Sequence, residues 1–129
     1  MNKVSFEEIG ALRATFYAGS GVEAGQVVKV TDGATVGACS ANDRFCGVVG
    51  AVEDGFAAVQ LRGFVQVSYT GAVTTGWNKL AADGKGGVIP YASGWDILVV
   101  DKEVVSPAVE ADGGSGTAVP ESGTAVIWL

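Results

Sequence analysis

The dipeptide Asp-Gly occurs four times in this chain, at Asp32–Gly33, Asp54–Gly55, Asp83–Gly84 and Asp112–Gly113. Glycine adopts a positive φ without steric cost, so an Asp-Gly pair between two apolar runs is a strong local signal for a tight β-hairpin. The first two pairs lie between such runs, and we expect a hairpin at each. We also expect the aspartates of these turns to bond to their own backbone rather than to serve as catalytic acids or bases.

The segments between the turns are short and often alternate between two faces, which is typical of half-buried strands. The pattern is clearest at Phe56–Leu61, Phe64–Tyr69 and Thr124–Leu129. Short strands at this spacing predict an all-β fold, a small single-domain β-barrel or β-sandwich of short hairpins. A chain of 129 residues is long enough for one such domain with its own core. The remaining predicted strands are Thr15–Tyr17, Gln26–Val30, Thr35–Cys39, Phe45–Val52, Trp77–Ala81, Val88–Tyr91 and Trp95–Val100.

Changes in composition divide the chain into four parts. We predict an N-terminal arm or short helix at 1–14, a β-barrel core at 15–100, an acidic loop at 101–123 and a final strand at 124–129. The loop holds five acidic residues against one lysine, together with two prolines and four glycines. This composition is typical of an exposed excursion. The loop acids Glu110, Asp112 and Glu121 are therefore expected to face solvent.

The N-terminal part contains a possible helix start. Ser5 and Glu8 have the spacing of a capping box, and Ile9 and Leu12 would share one face of the helix that follows. Gly10 would keep any such helix short, because glycine costs about 1 kcal/mol relative to alanine in a helix.

One spacing occurs twice in the sequence. Val22-x-x-Gly25 is followed seven residues after its glycine by Asp32–Gly33, and Val73-x-x-Gly76 is followed at the same interval by Asp83–Gly84. A duplicated unit and the shared requirements of hairpins explain this recurrence equally well.

Composition argues against several classes of function. Histidine is absent, which removes the commonest general base and metal ligand. We therefore expect no catalytic residue, no metal site and no cofactor. The net charge of −6 disfavours binding to nucleic acid. The N-terminus lacks the pattern of a signal peptide and no stretch has the apolar length of a membrane span, so we expect a protein made in the cytoplasm without a membrane partner.

The two cysteines and the tryptophans leave alternatives open. Cys39 and Cys46 have no zinc-ligand spacing, and we favour two small buried side chains over a hairpin disulfide. The aromatic residues are expected mainly in the core or at a subunit contact. A carbohydrate- or protein-binding module is the alternative function, and Trp77 and Trp95 exposed on one face would favour it.

Three motifs carry a resemblance to a known family. They are "AG-x-VV-x-V" at Ala24–Val30, the "GVV" strand at Gly47–Val49 ahead of "VQLRG" at Val59–Gly63, and the hairpin Leu-x-x-Asp-Gly-x-Gly-Gly-Val at Leu80–Val88. With the "ILVVD" and "TAVIWL" ending, the chain resembles the capsid decoration, or head cement, proteins of tailed phages and prophages. These are similar in architecture to the lambdoid head-decoration proteins. The long 101–123 segment departs from the pattern.

The resemblance implies a non-enzymatic viral structural protein that binds the outside of a phage capsid and stabilises it. Its partners would be the major capsid protein and further copies of itself, as a homotrimer on the capsid. It would be found on the virion exterior, and in the host cytoplasm during assembly. Apolar residues ahead of a barrel need a partner surface, so we expect capsid or subunit contacts at Phe6, Ile9, Leu12, Phe16 and Tyr17. The alternative is that these side chains cover the open end of their own barrel.

Overall fold

The computed structural model describes residues 10–109 and 119–129, and these residues form ten β-strands and no helix. The predicted all-β fold is confirmed. The described residues accordingly contain no helix with the length and hydropathy of a membrane span. The strands are β1 (Leu12–Ala18), β2 (Val27–Asp32), β3 (Thr35–Ala38), β4 (Gly47–Glu53), β5 (Phe56–Arg62), β6 (Phe64–Thr70), β7 (Gly76–Ala82), β8 (Val88–Pro90), β9 (Trp95–Ser106) and β10 (Ser122–Trp128).

The strands close into two five-stranded barrels that follow one another along the chain. Barrel 1 has the order β1-β3-β2-β4-β5, and barrel 2 has the order β6-β8-β7-β9-β10. In each barrel the first strand pairs in parallel with the third and antiparallel with the fifth, which closes the sheet. The region predicted as one barrel core, 15–100, therefore holds nearly all of one barrel and most of another. Five strands are enough for each closure because many of the side chains that point inward are valine and alanine.

The spacing that occurs twice in the sequence marks equivalent places in the two barrels. Gly25 lies just before β2 and Gly76 begins β7, the second strands of the two barrels, and both glycines have positive φ, +88° and +104°. Val22 and Val73 are both buried. Asp32–Gly33 and Asp83–Gly84 both join the second strand to the third. The recurrence in the sequence thus corresponds to a repeated topology.

The two barrels share part of their core. Val27, Phe45 and Val48 of barrel 1 pack in one cluster with the interior of barrel 2, which includes Tyr69 and Leu80. A second cluster, with Val28, Val36, Val49, Ala57 and Val59, fills barrel 1 alone.

Backbone hydrogen bonds also cross the junction between the barrels. The Val27 amide donates to the Gly86 carbonyl at 2.9 Å, and the Ala82 amide donates to the Asp43 carbonyl at 2.9 Å. The buried Gln60 amide group donates to the carbonyls of Arg62 and Phe64, where the chain passes from one barrel to the next. Each of these bonds satisfies polar groups that burial between the barrels would otherwise leave unpaired.

The Asp-Gly turns form hairpins with different backbone geometry. Asp54 and Gly55 both have positive φ, +53° and +80°, as the hairpin signal predicts. At Asp32–Gly33 the expectation of a positive φ at glycine is wrong, because Ala34 takes that conformation at +54°. The aspartates bond locally as expected: Asp32 accepts from the Gly33 amide, and Asp83 accepts from the amides of Lys85 and Gly87.

The ends of three predicted segments differ from expectation. Leu12 begins β1, so it does not belong to a helix, while Phe6, Ile9 and the capping-box pair lie outside the described residues. Strand β9 continues to Ser106, so the first six residues of the predicted loop are strand. Beyond β9, Val109 and Val119 exchange two backbone hydrogen bonds of 2.8 Å. We call residues 103–109 and 119–121 the ribbon extension; Asp112–Gly113 lies outside the described residues.

Strand β4 offers a test of how tightly the barrels are packed. A Cβ added at Gly47 would lie 2.4 Å from the Gln60 carbonyl oxygen, whereas one at Gly50 would lie 3.6 Å from the nearest atom. Neither glycine has positive φ, so only the available space differs. We expect Gly47→Ala to lower the free energy of unfolding by about 1–3 kcal/mol and Gly50→Ala to change it by less than about 0.5 kcal/mol. Urea unfolding of both variants measures this, and equal midpoints would contradict it.

Candidate functional site

A groove of about 860 Å³ lies where the open end of barrel 2 meets barrel 1. Its lining comes from strands of both barrels, from the loop between β3 and β4, and from the C-terminus. Most of the lining side chains are apolar or aromatic, and four are charged. The lining residues are Leu12, Lys29, Val30, Arg44, Phe45, Cys46, Leu61, Arg62, Leu80, Trp95, Asp96, Ile97, Trp128 and Leu129.

The charge of this groove is opposite to that of the whole chain. Lys29, Arg44 and Arg62 line it together with one carboxylate, Asp96. Lys29 pairs with Asp43 and Asp96 pairs with Lys79, so Arg44 and Arg62 supply the positive charge of the groove in a protein of net charge −6. Arg44 lies over the Trp95 ring at 5.6 Å from its centroid, a cation–π contact that holds the guanidinium at the groove wall. Among the described residues, neither Arg44 nor Arg62 forms a salt bridge. The groove therefore combines apolar surface with positive charge, which suits an anionic ligand with apolar groups.

The third cation, Lys29, is held by Asp43. Its ammonium donates to the Asp43 carboxylate, which also accepts from the Ser40 amide at 2.9 Å. The hydrogen bond from Lys29, with that from Ser40, lowers the pKa of Asp43. The same bond raises the pKa of Lys29. This pair fixes the loop between β3 and β4 that carries Arg44 and Phe45.

A second surface is a row of large apolar side chains across the outside of barrel 2. Trp77, Leu98 and Trp128 lie opposite one another on β7, β9 and β10. Val99 and Ile127, which follow Leu98 and precede Trp128, point into the core, as does Leu80, three residues after Trp77 on β7; the row therefore points outward. Trp77 is 69% exposed, and Trp128 packs against Phe64 at a centroid distance of 4.7 Å. We call Trp77, Leu98 and Trp128 the outer row.

The residues predicted as contacts ahead of the barrel separate into two groups. Leu12 and Tyr17 are exposed, and Tyr17 pairs with Phe56 at a ring distance of 5.6 Å. Phe16 points the other way and packs against the core of barrel 1. The expectation that Phe16 faces a partner is therefore wrong, because neighbouring residues of a strand point to opposite faces and Tyr17 takes the outer one.

The two tryptophans of the alternative function do not share a face. Trp77 pairs with Leu98 on the outside of the β7–β9 ladder, whereas Trp95 pairs with the buried Leu80 on the inside. Trp95 belongs to the groove and Trp77 to the outer row. A single stacking platform built from this pair is therefore excluded.

Glu121 is not an exposed loop acid, contrary to expectation; its side chain is only 23% exposed. Its carboxylate accepts a hydrogen bond of 2.6 Å from the Tyr69 hydroxyl and one of 2.7 Å from the Lys102 ammonium. Lys102 also donates to the Val73 carbonyl. Bonds from Lys102 and Tyr69 lower the pKa of Glu121. Burial, reinforced by the nearby Glu121, raises the pKa of Tyr69 to about 12. Glu110 and Asp112 lie outside the described residues.

The two cysteines are both free, and they differ in exposure. Cys39 is buried in the shared core, as expected, and burial raises the pKa of its thiol to about 11. Cys46 is exposed in the groove, so the expectation of two buried side chains is wrong for it. In the loop just before β4, Phe45 fills the shared core, whereas Cys46 lines the groove.

Sequence reasoning missed the groove and the outer row. The groove collects residues from seven separate stretches of chain, and no local pattern joins Arg44, Arg62 and Trp95. The outer row depends on strand register. The available signal was the two-residue alternation on β9, which places Leu98 on the face opposite its buried neighbour Val99.

No protein-family model matches the chain, and no curated protein matches it significantly in sequence.

The difference between the two thiols predicts selective labelling. A maleimide reagent should modify one thiol per folded chain, at Cys46, because Cys39 is buried and its thiolate is disfavoured near neutral pH. Mass spectrometry before and after unfolding in urea measures this, with a Cys46→Ser variant as control. Rapid double labelling of the folded protein would contradict the burial of Cys39.

The Tyr69 phenol predicts a loss of stability in alkali. The pKa of this phenol is raised from 10.0 to about 12, so between these values the unfolded chain has lost a proton that the folded chain keeps. The free energy of unfolding should therefore fall as the pH rises from 10 towards 12. Tyr69→Phe keeps the ring and should show a shallower fall. Urea unfolding at several pH values compares the two, and identical alkaline slopes would contradict the assignment.

Proposed function

We propose that this protein is a capsid decoration protein of a tailed phage or prophage, which docks on the outside of the assembled shell and stabilises it. The observation that carries the proposal is the outer row of Trp77, Leu98 and Trp128, an apolar strip on the surface of a rigid double barrel. Such strips on soluble domains mark contact surfaces. The family resemblance of the sequence motifs points to the same function.

The dimensions of the outer row suit a contact with a flat protein surface. Neighbouring strands lie about 4.8 Å apart, so three strands present a strip about 10 Å wide. Burying one large apolar side chain contributes about 2–3 kcal/mol. A single copy therefore gains modest binding energy from the row. On a shell, many identical copies act together on a symmetric lattice, and weak individual contacts add up to a large stabilisation.

Gly10, the first described residue after the predicted N-terminal arm, lies beside the same docking face. Gly10 lies against the outer row, since a Cβ added there would approach the Trp128 ring to 2.9 Å. Residues 1–9, with the predicted contacts Phe6 and Ile9, therefore join the described chain beside the row. Leu12 and Tyr17 remain proposed contacts on barrel 1, where both are exposed.

The charge of the chain favours the outside of a capsid over the inside. A net charge of −6 repels packaged DNA, whereas an outward-facing surface meets only solvent and protein. In this proposal the protein binds the major capsid protein and associates with further copies of itself as a homotrimer on the capsid.

Binding to capsids tests the proposal. Purified protein is co-sedimented with empty, expanded capsids of the source phage, and we expect saturable binding at a fixed ratio to the major capsid protein. Trp77→Ser should weaken the affinity about tenfold or more, because it removes the most exposed side chain of the row.

The matched control is Val52→Ser, an exposed apolar residue on barrel 1 outside the row. It should bind like the parent protein. Failure of the parent protein to bind would refute the proposed function. Equal binding by the parent and Trp77→Ser would refute the outer row as the docking face.

A further inference from the structure

We propose that the ribbon extension of one copy inserts into the inter-barrel groove of a second copy, so that the protein associates with itself head to tail. The proposal rests on the described parts of the extension and on the groove, and it does not depend on the function proposed above.

The ribbon extension exposes an unusual amount of apolar surface. Val104, Val105, Val109 and Val119 are between 43% and 68% exposed. Val104 and Val105 are neighbours on one strand, so they face opposite sides and both faces of the ribbon carry valine. A two-stranded ribbon that extends beyond its barrel has little stability of its own in water. Exposed valines on both faces are explained if another surface covers them.

The groove has the complementary chemistry. Its walls include the apolar side chains of Leu61, Ile97 and Leu129, which suit valine. Its Arg44 and Arg62 form no salt bridge among the described residues. The extension begins with the exposed Glu103, and the sequence that follows Val109 adds Glu110 and Asp112. The groove and the ribbon extension therefore match in two respects: both carry apolar side chains, and their charges are opposite.

The course of β9 prevents the extension from filling its own groove. This strand lines the groove at Trp95–Ile97 and reaches the extension at Val104 and Val105. Ile97 and Val105 are eight residues apart on it, about 25 Å at the rise of a strand. Strand β10 pairs with β9 along this length and stiffens the ribbon. The extension therefore points away from its own groove and meets only the groove of another copy.

A contact of this kind joins two different surfaces, so the pair formed by the first association keeps one free groove on one copy and one free extension on the other. Such heterologous interfaces build closed rings when the rotation between copies closes, and open chains when it does not.

Light scattering of the purified full chain tests the proposal. We expect a mass above that of the monomer. The double variant Arg44→Glu/Arg62→Glu should be monomeric because it reverses the charge of the groove, and Val105→Ser/Val109→Ser should be monomeric because it removes the apolar contact of the extension. Val52→Ser, a control outside both surfaces, should associate like the parent. A monomeric parent protein would overturn the proposal.

Mixing the two monomeric variants gives the sharper result. One retains an intact extension and the other an intact groove, so a mixture should form a one-to-one dimer and nothing larger. A mixture that stays monomeric would overturn the head-to-tail arrangement. Circular dichroism spectra that match the parent show that the exposed substitutions leave the fold intact.

A cross-link provides a readout that does not depend on loss of association. Cys46 is an exposed thiol in the groove, so Val105→Cys places a second thiol on the extension. Under mild oxidation we expect a disulfide between that position and Cys46 of another copy, identified by mass spectrometry of the joined peptides. Val52→Cys is the matched control. Equal cross-linking by the two variants would overturn the proposal.

Discussion

The packing of Phe45, Val27 and Val48 into the core of barrel 2 is the contact on which the rest of the structure depends. Barrel 1 alone encloses mainly valine and alanine, and a domain that small buries little of its apolar surface. The shared cluster joins these three residues of barrel 1 to the core of barrel 2, beside the separate cluster inside barrel 1. It also fixes the relative position of the barrels, so that the groove forms between them.

The two barrels repeat one topology but present different surfaces. In barrel 2 the last strand pair extends past the barrel as a ribbon, whereas the corresponding pair in barrel 1 ends at the Asp54–Gly55 turn. The Lys102–Glu121–Tyr69 cluster lies where the ribbon leaves barrel 2. Its charged hydrogen bonds, which are stronger than neutral ones, hold the two strands together at that point. The repeat therefore supplies a stable scaffold, and the differences between its copies supply the surfaces available for binding.

The sequence predicts the local features well because they depend on neighbours in the chain. Alternation gives the strands, and Asp-Gly gives the hairpins at Asp54–Gly55 and Asp83–Gly84. The closure of two barrels is not predictable in this way. It depends on the pairing of β1 with β5 and of β6 with β10, and no local sequence pattern specifies either pairing. Even a local prediction can be wrong in detail: at the Asp32–Gly33 turn the positive φ belongs to Ala34 and not to the glycine.

Glu121 shows why composition misleads about individual residues. It lies in an acidic stretch rich in glycine and proline, which is typical of an exposed loop. The pairing of β10 with β6 and β9 nevertheless brings its carboxylate between Tyr69 and Lys102, 52 and 19 residues away in sequence. The buried Tyr69 hydroxyl would otherwise be left without a partner, at a cost of about 1–3 kcal/mol. Hydrogen bonds from Tyr69 and Lys102 thus hold the carboxylate at the end of the barrel. Only the strand register brings these three residues together.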